Sequence, residues 1–217
     1  MLVFRPDRRA HSGSALLQAL LPLLRELCPA AAGAPPSLLL EALLRCGELE
    51  SGLADLNSPH SLAFAAGADA LAAMLLGQSV PLSELIFLLS GINPPPQITV
   101  SIPEGFAYYA LHPLQYADLA GALPLSSPYA AVIGIRSIGA TLSAVVAAAL
   151  RRRGINAERI TVRPGGHPFD RKMEFTPEER RWLADQRVRR ADVLVVDEGP
   201  GLSGSSFLSV GDALLQA

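Results

Sequence analysis

The sequence predicts an α/β fold in which a mostly parallel sheet follows an α-helical region. After Pro94-Pro95-Pro96, apolar runs of strand length alternate with helical patterns, which is typical of parallel strands covered on both faces. Before these prolines, apolar residues recur at helical spacing. A proline cluster of this kind marks a boundary. We therefore expect a helical region at residues 1–93 and an α/β domain at residues 94–217.

The first region contains four predicted helices, at residues 14–27, 37–47, 58–77 and 81–90. Ser58-Pro59 is a favourable start because a serine N-cap precedes proline at the first helical position. No catalytic constellation occurs here, so we interpret the region as a helical cap or interaction domain.

The second region alternates strands with helices. The predicted strands are 97–102, 130–135, 159–163 and 193–196, and the predicted helices are 113–123, 138–153, 177–188 and 205–217. Thr176 caps the third helix, and Glu179 completes its capping box. A ligand-binding strand normally has neighbours on both sides, and no strand follows the last helix. We therefore expect a sheet that is incomplete at the C-terminus, either because it ends early or because the sequence is a fragment. The free edge predicts a chain that self-associates as a homo-oligomer or is only marginally stable.

Composition excludes several classes of protein. Half of the 217 residues are apolar and 18% are charged, which excludes a disordered chain. Cys28 and Cys46 cannot form a disulfide framework or a Cys/His metal motif, and they fit a cytoplasmic location. The apolar run at 15–24 imitates a signal peptide, but Arg25 and Glu26 occupy the place of a neutral cleavage region. Prolines interrupt the longest uncharged stretch, so no membrane span or membrane partner is expected.

Positive charge is concentrated in one block. The net charge is −2, which gives no support for nucleic-acid binding, but residues 151–190 hold 12 of the 18 basic and 6 of the 20 acidic residues. Most of these cations are arginines, whose forked donors match phosphate. The block predicts a local anion site, with a solvated arginine-rich surface as the alternative.

The segment after the last strand carries the clearest signal. Asp197 and Glu198 end an apolar strand, and a loop rich in Gly and Ser then opens a helix. Ligands of open α/β sheets bind at this end of the strands, where loop amides and the helix N-terminus can cradle an anion. The acids can accept hydrogen bonds from ribose hydroxyls. The alternative is an ordinary turn capped by Ser203 or Ser205. The candidate binding residues are Asp197, Glu198, Gly199, Gly201, Ser203, Gly204, Ser205 and Ser206.

This segment resembles the type I phosphoribosyltransferase family, whose signature is a hydrophobic strand, two acids and a short loop ending in a Thr-Gly-Gly-Thr-like phosphate cradle. Asp197 and Glu198 match the acids, and residues 203–206 resemble the cradle, with one more residue between the two than is usual. The resemblance covers residues 97–217. It implies a sheet of the phosphoribosyltransferase type, in which the acids hold the ribose hydroxyls of phosphoribosyl pyrophosphate (PRPP), the cradle holds its 5′-phosphate, and Mg²⁺ is bound with it.

Two further segments fit the resemblance. In the family a short loop after the first core strand binds pyrophosphate, and here that position holds Arg136, Ser137, Ile138 and Gly139. The family also has a mobile catalytic loop before the acid-pair strand. Residues 161–172 occupy that place, and their candidate catalytic residues are Arg163, His167, Arg171 and Lys172. The basic residues would neutralise the leaving group, and His167 is either a substrate contact, a proton donor or a surface turn residue. We expect residues 164–175 to be the least protected part of the domain.

A fourth segment, residues 101–113, places Glu104 and Tyr108 beside other aromatic residues. It lines a pocket for the acceptor by stacking, or it is a β-hairpin packed on the core. Together with the other segments it also resembles uncharacterised phosphoribosyltransferase-like proteins of bacterial stress and tellurium-resistance gene clusters. The resemblance implies transfer of phosphoribosyl from PRPP to an unknown small-molecule acceptor, with release of pyrophosphate. The alternatives are a non-catalytic module that binds PRPP or a nucleotide, and an inactive remnant.

Overall fold

The computed structural model describes residues 8–28, 34–101, 104–201 and 203–217. The chain divides into two compact units, Met1–Ala110 and Leu111–Ala217. The proline cluster therefore lies inside the first unit, and the strand that follows it pairs there with an N-terminal strand. In the described ranges, no helix is both long and apolar enough to span a membrane.

The first unit is mainly helical. Its elements are β1 (Arg8–His11), α1 (Gly13–Leu27), α2 (Pro36–Asp55), α3 (Ser61–Leu75), α4 (Ser83–Ser90), β2 (Ile98–Ser101) and α5 (Glu104–Tyr108). β1 and β2 are antiparallel. Helix α2 packs against α1, α3 and β2. The predicted end of α2 at Gly47 is wrong, because the buried stripe continues through Leu49 and Leu53 and keeps the helix in the core.

The second unit contains the parallel sheet. Its elements are α6 (Pro113–Ala122), β3 (Tyr129–Ile135), α7 (Ile138–Arg152), β4 (Asn156–Val162), β5 (Gly165–His167), β6 (Asp170–Lys172), α8 (Pro177–Val188), β7 (Asp192–Val196) and α9 (Ser205–Gln216). The strand order is β4-β3-β7, with both pairs parallel, whereas β5 and β6 form a separate antiparallel hairpin. This confirms the α/β class and the parallel sheet.

Helices cover both faces of the sheet, as predicted. Ile133 and Ile135 point to one face, where they form a core with Leu183 of α8 and Val210 of α9. On the opposite face, α7 packs on β3 and β4, and α6 packs on α7. A Cβ on Gly134 would lie 2.3 Å from the Gly139 carbonyl oxygen. The backbones of β3 and α7 are therefore too close here for any residue other than glycine.

The capping box of α8 has the predicted geometry. The Thr176 hydroxyl accepts a hydrogen bond from the Glu179 N–H at 3.2 Å, and the Glu179 carboxylate accepts one from the Thr176 N–H at 2.8 Å. Strand β7 is less buried than its apolar sequence predicts. It pairs with β3 on one side within the described residues, and Val193 is 48% exposed.

Candidate functional site

Three segments meet at the carboxyl edge of the sheet because β3, β4 and β7 are parallel. In the register, Gly134 of β3 pairs with Val196 of β7, and Ile135 pairs with Val162 of β4. The segments that follow these strands therefore leave the sheet at the same level. They are the turn at residues 136–139, the segment that begins at Arg163, and the loop at residues 197–204.

The acid pair begins directly after β7. The Asp197 carboxylate accepts a hydrogen bond from the Glu198 N–H at 2.8 Å. Burial raises the pKa of Asp197 to about 7, and the neighbouring Glu198 carboxylate acts in the same direction, while the Glu198 N–H and Arg163 oppose the rise. A carboxyl group that titrates near neutrality marks a functional-site candidate, because its environment disfavours the charged form.

Tyr116, a residue of α6, forms a hydrogen bond with the main chain of the acid pair. Its hydroxyl donates to the main-chain oxygen of Asp197 at 2.9 Å. Burial raises the pKa of Tyr116, and the Asp197 and Glu198 carboxylates add to that rise. Sequence reasoning missed this residue, because a single tyrosine on a helix gives no signal that its hydroxyl reaches a residue 81 positions away.

The turn between β3 and α7 contains backbone strain. Ser137 has a φ of 98° and a ψ of −109°, a conformation that L-residues rarely adopt and that costs about 1–3 kcal/mol. The Arg136 N–H donates to the Val162 oxygen at 2.8 Å, and its guanidinium donates to the Thr161 oxygen at 3.0 Å. The Ile138 side chain is buried in the core, so any contact of this residue with a ligand is through its backbone.

Arg163 stabilises this strained turn. Its guanidinium donates to the Arg136 carbonyl oxygen at 2.7 Å and to the Ser137 hydroxyl at 3.1 Å. The same charge lies close enough to Asp197 to lower the pKa of that carboxyl group. Arg163 thus connects two of the predicted binding segments, and its contacts are those of a positioning residue.

The loop between β7 and α9 holds the residues that are predicted to form a phosphate cradle. Gly201 and Gly204 have φ values of 60° and 65°, which favour glycine because it lacks a Cβ. Gly204 is the N-cap of α9 and makes no side-chain cap. The Ser203 hydroxyl accepts from the Ser205 N–H at 3.2 Å, so part of the simple-turn interpretation applies as well. Gly199 and Ser206 lie in the same segment.

The predicted mobile loop contains a β-hairpin. Three of its candidate catalytic residues, His167, Arg171 and Lys172, make polar contacts within the hairpin segment. His167 Nδ1 accepts from the Phe169 N–H at 3.3 Å, Arg171 donates to the Pro164 oxygen at 3.4 Å, and Lys172 pairs with Asp170 at 2.7 Å. The structure therefore places His167 at the exposed end of β5, next to the hairpin turn, and of the four candidate catalytic residues it brings Arg163 to the acid pair.

The tip of the hairpin contacts the cradle. The Pro168 carbonyl oxygen accepts hydrogen bonds from the Ser203 hydroxyl at 2.8 Å and from the Ser205 hydroxyl at 2.7 Å. Sequence reasoning did not find this contact, because a main-chain acceptor has no residue signature.

The remaining predicted binding residues, Glu104 and Tyr108, belong to the first unit. They begin and end the short helix α5, and both are exposed. The alternative interpretation of this segment as a β-hairpin is therefore wrong.

Much of the arginine-rich block has a structural role. Arg153 donates to the Ala120 and Leu123 oxygens, Arg151 donates to the Ala157 oxygen, and Arg189 pairs with Glu158. These arginines therefore stabilise the fold, whereas Arg163 from the same block lies at the candidate site. Among the residues that the structure describes, no group of three or more His, Cys, Asp or Glu side chains could hold a metal ion.

The chain matches no protein-family model, and no curated protein or solved structure is significantly similar to it. The chemistry of the site is therefore the basis on which a function can be proposed.

Proposed function

We propose that the second unit binds PRPP and transfers its phosphoribosyl group to a small-molecule acceptor, releasing pyrophosphate. The observation that supports this most directly is the position of the acid pair. Asp197 and Glu198 follow β7 at the sheet edge where the Arg136–Gly139 turn follows β3 and the serine loop opens α9. Carboxylates between two anion-suited loops fit a ribose that carries a phosphate at each end.

Each segment has a distinct role in this proposal. The Asp197 and Glu198 carboxylates accept hydrogen bonds from the ribose hydroxyls. The 5′-phosphate lies at the N-terminus of α9, where Ser203, Ser205 and Ser206 donate hydroxyls and the helix dipole favours an anion. The turn at residues 136–139 contacts the diphosphate, and Arg163 fixes the shape of that turn.

The transfer replaces one bond at ribose C1 by another. The acceptor lone pair forms the new bond to C1, the bond from C1 to the diphosphate oxygen breaks, and that electron pair leaves with pyrophosphate. The acceptor then loses its proton to water or a nearby base. The unit would favour this step by positioning the reactants and stabilising charge, without a covalent nucleophile.

Mg²⁺ fits the site as an ion carried by the diphosphate. The acid pair offers the oxygen ligands that Mg²⁺ prefers, but the described residues supply no group of three acidic, His or Cys side chains. When bound, the ion would neutralise charge on the leaving group. In this proposal Asp197 and Glu198 hold it indirectly, through the ribose hydroxyls or water. The proposal includes a cytoplasmic location, because two cysteines, Cys28 and Cys46, are too few for a disulfide framework.

Calorimetry with PRPP and Mg²⁺ tests the assignment. The double variant Asp197→Asn with Glu198→Gln should weaken binding by about a hundredfold, because two charge-assisted hydrogen bonds are lost. Asp192→Asn is the matched control, since Asp192 starts the same strand and lies at its opposite end. Unchanged affinity in the double variant, or equal loss in the control, contradicts the ribose assignment.

One observation favours a second candidate, a regulatory module that binds PRPP without turnover. His167, Arg171 and Lys172 are bonded within their own hairpin segment, and Lys172 is exposed. A panel of nitrogen and oxygen acceptors, assayed for pyrophosphate release, separates the candidates. Binding without release by any acceptor favours the regulatory module.

A further inference from the structure

At the tip of the β5–β6 hairpin, a main-chain oxygen accepts hydrogen bonds from two serine hydroxyls of the loop that precedes α9. Ser203 Oγ and Ser205 Oγ lie 2.8 Å and 2.7 Å from the Pro168 oxygen and 2.9 Å from each other. A single oxygen that accepts two hydroxyl hydrogen bonds is the arrangement a phosphate oxygen would have in the same loop. The Pro168 carbonyl therefore acts as an internal substitute for a ligand oxygen.

We propose that this contact is a latch, in which an anion bound by Ser203 and Ser205 displaces the Pro168 oxygen and releases the hairpin. Each serine hydroxyl has one proton to donate, so it cannot donate to Pro168 and to an anion at the same time. The inference rests on the proposed function in taking that anion to be the 5′-phosphate of PRPP. It goes beyond that function because it predicts that the hairpin becomes less protected when the anion binds.

The hairpin is built to be released as a unit. β5 and β6 have three residues each and pair with one another. The Lys172–Asp170 ion pair and the Arg171 bond to Pro164 also lie within the segment, so they can persist when the tip leaves the loop. Short strands with solvent-exposed backbone hydrogen bonds belong to the least stable parts of a fold. β6 also packs against α9, so the loss of the two hydroxyl bonds loosens the hairpin from its tip toward β6.

The latch and a closing loop predict opposite responses. A loop that closes over its ligand becomes more protected when the ligand binds. A latched hairpin becomes less protected, because the ligand removes the contact that holds it. Trypsin cleavage after Arg171 and Lys172 reports this difference directly, since both residues lie in β6. Arg163 precedes a proline and does not interfere with the readout.

The experiment compares three proteins by mass spectrometry of these cleavage products, with circular dichroism to verify folding. Without added anion, the double variant Ser203→Ala with Ser205→Ala should be cut about tenfold faster than the wild type, because two hydrogen bonds are missing. Ser209→Ala is the matched control, because its hydroxyl lies in the same helix and donates to the Ser206 main-chain oxygen and not to Pro168, and this variant should be cut at the wild-type rate. Equal rates in the double variant and the wild type overturn the latch.

The ligand arm uses PRPP with Mg²⁺ and, separately, inorganic phosphate, each at concentrations that calorimetry shows to be saturating. Wild-type cleavage after Arg171 and Lys172 should rise, and the double variant should show no further rise. Slower wild-type cleavage with bound ligand overturns the latch in favour of a closing loop. If neither anion binds, the proposed function fails, and the comparison of variants alone decides whether the Pro168 contact holds the hairpin. If the double variant does not fold, hydrogen exchange of wild-type β6 with and without bound phosphate gives the same decision.

Discussion

The two ends of strand β7 carry the same residue type in opposite electrostatic settings. At the start, the Asp192 carboxylate accepts from the Ser126 N–H at 2.8 Å, the Ser127 N–H at 2.9 Å and the Ser126 hydroxyl at 3.0 Å. These bonds lower the pKa of Asp192, with the Ser127 N–H as the largest contribution. Just beyond the other end, burial and Glu198 raise the pKa of Asp197 to about 7.

The start of β7 therefore stabilises the fold, whereas its carboxyl end has features that are typical of a binding site. We call them the folding end and the binding end. At Asp192 the structure supplies donors for the negative charge. At Asp197 it buries the carboxyl group beside a second acid and next to a turn in which Ser137 is strained. Local conflicts of this kind lower stability and persist where the surrounding structure enforces them, which is typical of functional sites. Removal of the aspartate charge at the two ends should therefore change stability in opposite directions.

The largest effect on stability is expected from Gly139→Ala at the binding end. A Cβ on Gly139 would lie 2.7 Å from the main-chain oxygen of Val196, so either α7 or the end of β7 must shift. Overpacking of this kind costs about 1–3 kcal/mol, and we expect a loss of about 2 kcal/mol. Urea unfolding followed by the fluorescence of Trp182, the single tryptophan in the chain, reports the stability of the second unit.

Gly211→Ala provides the matched control for this variant. Gly211 lies within α9, and a Cβ there meets nothing within 4 Å. Alanine should stabilise the helix by up to about 1 kcal/mol, because glycine is a poor helix former. Equal effects of the two alanines would show that the close approach of α7 to β7 is unimportant.

A change of similar size and opposite sign, a gain in stability, is expected from Asp197→Asn. Because the folded-state pKa is about 7 against an unfolded value of 3.8, the folded protein binds the proton more tightly between these values. Wild-type stability therefore falls as the pH rises through this range and levels off above it. Asparagine keeps an acceptor for the Glu198 N–H and removes the charge, so the variant should be more stable by about 2 kcal/mol at about pH 8 and nearly unchanged at about pH 4.

The pH profile tests this result more sharply than a single melt. Urea unfolding of both proteins at several values between about pH 4 and pH 8 should show the difference growing with pH. A variant that is less stable than the wild type at the upper end would mean that Asp197 is stabilised as an anion. In that case the contrast between the two ends of β7 would be lost.

The sequence predicted the regular parts of the second unit because their signals are local. The apolar runs of β3 and β7, the long apolar α7 and the capping box of α8 each lie within one segment. The first unit was predicted less accurately. Gly47 indicated a helix end, but burial of the following turns outweighed it and α2 continues to Asp55.

The candidate site was predictable where it depends on residue order and not where it depends on distant contacts. The acid pair and the serine loop are adjacent in sequence, so their proximity follows directly. The Tyr116 bond to Asp197 and the Pro168 bonds to the serines join residues that are 81, 35 and 37 positions apart. Main-chain oxygens accept all three, and a main-chain oxygen is present in every residue. No pattern of side chains could indicate them.

The smallest effect is expected from Asp192→Asn at the folding end of β7, and its sign should be opposite to that of Asp197→Asn. The lowered pKa of Asp192 means that its charge contributes stability above the unfolded-state value, and that this contribution is lost as the pH falls through the folded-state value. The site is partly open to solvent, so screening limits the effect, and we expect a loss of about 0.5 kcal/mol at neutral pH. Trp182 fluorescence during urea unfolding at about pH 7 and about pH 3 measures it, and the loss should be smaller at the lower value. A gain in stability from this variant would show that the three donors from Ser126 and Ser127 do not favour the charged carboxylate, and the two ends of the strand would then be electrostatically alike.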